Sequence, residues 1–82
     1  MNDELERLRD VARAAAAHMR AEDEHDSFLF GLRIRPEDEW APDEVEQLHR
    51  LSLATVDRAQ ELIQALARLA EVSPELVGGT VR

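Results

Sequence analysis

Two long stretches of the chain repeat apolar residues at the three- and four-residue spacing of an amphipathic helix. The first stretch carries Leu5, Leu8, Ala12, Ala15 and Met19. The second carries Val45, Leu48, Leu51, Thr55, Ala59, Leu62, Leu66 and Leu69. The pattern predicts one helix over about residues 3–24 and another over about 42–72, where Ser73-Pro74 disfavours further helix.

The stretch 27–35 between them has a different, strand-like pattern, in which alternate positions are large and apolar: Phe28, Phe30, Leu32 and Ile34. Nothing else in the chain alternates, so a strand here would need a second chain to pair with. The alternative is an extended connector over 25–41 that presses these side chains between the two helices. Both interpretations are compatible with the sequence.

These elements predict an all-α protein, an antiparallel two-helix hairpin with an extended apolar connector. Residues 73–82 are expected to form a short turn and a C-terminal tail. A chain of 82 residues without cysteine has a thin core and no disulfides to reinforce it. We therefore expect dimerisation, or docking on a larger protein, to complete the hairpin.

The net charge of −8 is concentrated in one segment, because residues 22–46 hold ten acids against two arginines while the flanking segments each balance to zero. This placement argues against nucleic acid or an anionic membrane as the partner, since phosphate binding needs a basic face. The first residues lack the order of a signal peptide, and no apolar run reaches the roughly 18–20 residues of a membrane span. The expectation is a cytoplasmic protein.

Two Glu-x-x-His motifs, one on each predicted helix, are the best candidate for chemistry: Glu22 with His25, and Glu46 with His49. Paired motifs of this kind supply carboxylate and imidazole ligands to metals in helical bundles, and dimerisation would double the set. This is the alternative function, a ferritin-like protein that binds iron or another divalent metal. The main expectation is a protein without a cofactor.

Catalysis by a nucleophile has less support in the sequence. There is no cysteine, and the serines and threonines show no arrangement with a base and an orienting group. The glycine pair Gly78-Gly79 opens no helix, so it does not form a phosphate-binding loop. The sequence favours a protein that is not an enzyme, and the aromatic and apolar residues of the middle segment are the predicted contacts to a partner: Phe28, Phe30, Leu32, Ile34 and Trp40.

The segment 28–63 resembles a known group. It combines Leu29-Phe30-Gly31-Leu32-Arg33-Ile34, then Pro36, Trp40 and Pro42, then an amphipathic helix. This combination is similar to the small helical C subunit of glutamyl-tRNA amidotransferases and to related small subunits of amidase-type hydrolases. The resemblance implies a non-catalytic subunit that stabilises a larger hydrolase, although the segment 71–82 lacks the Pro-rich, aromatic ending of that group.

Overall fold

The computed structural model describes residues 3–77 and contains two long helices. Helix α1 spans Asp3–Arg33 and helix α2 spans Pro42–Val72, each of 31 residues. Single turns of 3-10 helix follow each of them, at Glu37–Glu39 and Pro74–Val77. The all-α two-helix hairpin is confirmed. The predicted Gly78-Gly79 turn and the tail lie outside the described residues.

The first helix is nine residues longer than the predicted range of about 3–24. Residues 25–33 continue α1, so the extended connector predicted over 25–41 is wrong, and so is a strand at 27–35. The connection between the helices is only the segment 34–41. The second helix has the range that its periodicity predicts, Pro42–Val72.

The helices pack along an interhelical seam whose positions follow a seven-residue repeat, the spacing of coiled coils. The α1 side of this seam consists of Val11, Ala14, His18, Ala21, His25, Phe28 and Leu32. The α2 side includes Leu48, Leu51, Thr55, Leu62, Ala65 and Leu69. Two contacts fix the register: the Ser52 hydroxyl lies 3.2 Å from Nε2 of His25, and the Ser73 hydroxyl donates to the Glu4 carboxylate.

The hairpin has a small core of its own. Within residues 3–77, four hydrophobic side chains are buried: Ala21, Leu32, Ala65 and Leu69. Two of the four are alanine, which brings the helices close together but removes little apolar area from water. The molecule is one layer of helices, with principal extents of 55 × 26 × 15 Å.

Candidate functional site

One side of the hairpin presents apolar residues from both helices. On α1, Glu22 and Asp26 line a groove together with Ser52 and Val56 of α2, which shows that these positions share one side. Residues three and four apart continue along the same side of a helix. The apolar face therefore consists of Leu8, Ala12, Ala15 and Met19 on α1, and Val56, Ala59, Ile63, Leu66 and Ala70 on α2.

Four of the five large side chains of this apolar face are open to solvent, and Leu66 is half-buried. Met19 and Ile63 are each 63% exposed, and Val56 is 51% exposed. Single exposed apolar residues are ordinary on protein surfaces, whereas a contiguous group on adjacent helices marks an interaction site. The apolar face is therefore the candidate functional site.

The opposite side of the hairpin carries a polar groove over the middle of the two helices. Its groove is lined by charged and amide side chains around small alanines: Asp10, Arg13, Ala14, Ala17, Glu61, Gln64, Ala65 and Arg68. Arg13 and Arg7 both pair with Asp10 there, at 3.2 and 3.7 Å. Exposed pairs of this kind contribute little to stability, but they keep the surface hydrated. Nearer the connection between the helices, the same side also exposes part of Phe28 and Leu51, in a second groove.

A polar layer crosses the hairpin at the end of the apolar face nearer the connection between the helices. Nε2 of His18 lies 3.8 Å from Oε2 of Glu22, and Nδ1 of His25 lies 3.2 Å from Oδ1 of Asp26. The second nitrogen of His25 meets the Ser52 hydroxyl across the seam. Both carboxylates of this side thus have histidine partners within the chain.

The connection between the helices is held by hydrogen bonds. The indole Nε1 of Trp40 donates to the carbonyl oxygen of Leu32, in the last turn of α1, at 2.8 Å, and to that of Arg35, just after the helix, at 3.2 Å. The Arg35 guanidinium donates to the Glu44 carboxylate at 2.7 Å and to the Glu39 carbonyl oxygen at 3.2 Å. The Leu32 carbonyl oxygen also accepts a 3.0 Å hydrogen bond from the Arg35 N–H, so the indole is its second donor at the helix end.

Glu44 also caps the N-terminus of α2. Its Oε1 accepts a 2.9 Å hydrogen bond from the backbone N–H of Ala41, and Pro42 occupies the first helical position. The Arg35 hydrogen bond, followed by that of the Ala41 N–H, holds the pKa of Glu44 below its ordinary value.

The five predicted contact residues have different surroundings in the structure. Leu32 is 2% exposed in the core of the hairpin, and Trp40 uses its indole N–H within the chain. Phe28 is half-buried in the interhelical seam. Phe30 and Ile34, at 72% and 76% exposed, are open to a partner. The spacing of Val56, Ile63 and Ala70 indicates from the sequence alone an apolar stripe too broad for the first helix to cover, but the predicted partner contacts lie in the middle segment.

The four predicted metal ligands are not gathered at one place in a single chain. Glu22 and His25 lie in the polar layer, whereas Glu46 and His49 are exposed on α2. No three His, Asp or Glu side chains of residues 3–77 are close enough to share a metal ion. A site completed by a second chain stays a prediction.

The fold and the surface define an all-α hairpin that exposes an apolar face formed by both helices. Comparison of the chain with family models, curated proteins and solved structures gave no match. The similarity to the amidotransferase C subunit stays a prediction, and Leu29–Leu32, which carries part of it, lies in the last turns of α1. Neither helix in the described part of the chain is long and apolar enough to cross a membrane.

Proposed function

We propose that this protein is a non-catalytic assembly protein, and that another protein chain completes its hairpin by packing on the apolar face. The observation that carries the proposal is the joint exposure of Met19 on α1 and Ile63 on α2, on the same side of the hairpin. Covering such side chains removes apolar area from water, worth about 1.5–3 kcal/mol for each large residue fully buried.

The energetics of a lone hairpin support the same proposal. Ordering the backbone costs about 1–2 kcal/mol per residue, and the chain must recover this cost mainly by burying apolar surface. With Leu32 and Leu69 as its two large buried side chains in the described region, the hairpin recovers little by itself. A covering chain would supply the missing burial.

The proposal is tested by helicity and thermal unfolding over a hundredfold range of protein concentration. We expect the unfolding temperature to fall on dilution, or the isolated chain to be poorly helical. Ile63→Glu should lower the helicity or the unfolding temperature further, because it places a carboxylate on the apolar face. Gln64→Glu is the matched control, since the adjacent Gln64 lines the polar groove.

A fully helical monomer whose unfolding temperature does not depend on concentration, and which responds equally to Ile63→Glu and Gln64→Glu, would rule out the proposed function. The hairpin would then be stable with its apolar face in water.

A further inference from the structure

We infer that the chain covering the apolar face is a second copy of this protein, and that the two hairpins form an antiparallel four-helix bundle. The two-fold axis of this bundle runs parallel to the helices, so α1 of each copy lies on α2 of the other. The inference rests on the proposed function and adds the identity of the partner and its orientation.

The register of the hairpin makes this arrangement self-complementary. His25 lies level with Ser52, and Glu4 lies level with Ser73, so the two helices of one chain are aligned end to end. Rotation about an axis parallel to the helices keeps every residue at its level. The α1 row from Leu8 to Met19 would then face the α2 row from Val56 to Ala70 of the second copy, apolar against apolar.

The polar layer also finds a complement in this arrangement. Among residues 3–77, the histidine hydrogen bonds and ion pairs belong to His18 and His25, which leaves His49 exposed and unpaired. By the same register, the position of His49 along the helix axis differs from that of Asp26 by about two residues, or roughly 3 Å. In the bundle the His49 imidazole of one copy would approach the Asp26 carboxylate of the other.

A two-fold axis perpendicular to the helices would match the residues of the two copies less well. It would place α1 on α1 in opposite directions. Centred on the apolar row, this axis would set Leu8 against Met19, but it would leave Asp26 and His49 beyond the end of the second copy. The polar layer would then gain no complement.

The exposed area matches what a dimer of this size would bury. A compact 9.3 kDa protein is expected to expose roughly 5,000 Å². This chain exposes 6105 Å², an excess of roughly 1,100 Å². Stable interfaces bury about 600–1,000 Å² on each partner. The excess surface of one hairpin is thus of the order that one second copy would cover.

The molar mass of the full chain in solution, measured by light scattering during size exclusion, is the first test. We expect twice the chain mass. Because the chain contains no cysteine, orientation can be tested with single-cysteine variants. A mixture of Ala12→Cys and Ile63→Cys should give a disulfide-linked dimer containing one of each, in higher yield than either variant gives alone.

His49 provides a variant that leaves the hairpin itself intact. His49→Glu should weaken dimerisation up to roughly fivefold by repelling Asp26, and His49→Arg should strengthen it by a similar factor. Equal dimerisation of both variants, or self-linked dimers from Ala12→Cys alone in the highest yield, would overturn the orientation.

The outcomes also separate this inference from the proposed function. A poorly helical monomer would overturn the second-copy inference and leave the assembly function standing. An assembly of more than two copies would overturn the two-hairpin bundle and likewise leave the assembly function standing. A well-folded monomer that is indifferent to dilution would overturn both.

Discussion

The indole Nε1 of Trp40 lies 2.8 Å from the carbonyl oxygen of Leu32 and donates a hydrogen bond to it across the connection between the helices. Leu32 is at the same time one of the four buried hydrophobic residues of the described region. The residue that ends the seam of α1 is therefore also the residue to which the connecting segment is attached.

Replacing the Trp40 donor is the direct test of that attachment. Trp40→Phe keeps an aromatic ring but removes the N–H, leaving the carbonyl oxygens of Leu32 and Arg35 without this donor. We expect a loss of about 0.5–1.5 kcal/mol in the free energy of unfolding, measured by urea denaturation followed by circular dichroism. An unchanged urea midpoint would show that water replaces the indole without cost.

Gly31 tests the corrected extent of α1. A Cβ built on Gly31 meets no atom within 4 Å, and the residue is helical and exposed. Gly31→Ala should therefore raise the free energy of unfolding by about 0.5–1 kcal/mol, because alanine has the higher helix propensity. If residues 27–35 were a turn or an extended segment instead, the same substitution would bring no such gain.

Acid should destabilise the connection between the two helices, because it protonates the Glu44 carboxylate. Its pKa is lowered in the folded chain, so its contribution to stability is fully present above its ordinary value of 4.5. That contribution is lost as the pH falls toward the lower, folded pKa. Thermal unfolding as a function of pH should show a shallower acid loss in Glu44→Gln than in the parent. Glu37→Gln is the control, because Glu37 is an exposed acid of the same connecting segment. If Glu44→Gln and the parent lost stability identically in acid, Arg35 would not be stabilising the Glu44 carboxylate.

The His25–Ser52 contact across the seam is best tested by a double-mutant cycle. Ser52→Ala removes the partner of His25 Nε2 and should cost about 1 kcal/mol. Adding His25→Leu should recover that loss, since replacing both members of a buried polar pair can be neutral or stabilising. Additive losses in the two single variants and the double variant would show that the pair is uncoupled.

The hairpin and the second helix could be predicted because both depend on apolar spacing over many turns. The last nine residues of α1 could not be predicted in this way, for a geometric reason. Residues two apart point in nearly opposite directions on a helix, so alternate apolar residues form two sets at i, i+4. Phe28 and Leu32 continue the seam, whereas Phe30 and Ile34 lie on the outer surface.

The metal and interface predictions depended on which residues share one side of the folded hairpin. Glu22 and His25 do lie together, as their spacing on one helix requires. The side to which Val56 and Ile63 belong follows from the register between the helices, which is set by contacts such as Glu4 with Ser73. Those two residues are 69 positions apart in the chain, and no local pattern relates them.

The Glu4–Ser73 contact holds the beginning of α1 and the end of α2 side by side, at the end of the hairpin opposite Trp40. In the inferred bundle both copies would have this contact at the same end, and both connections between the helices would lie at the other end. Because the segment 22–46 holds the net charge of the chain, the bundle would carry its excess negative charge toward one end only.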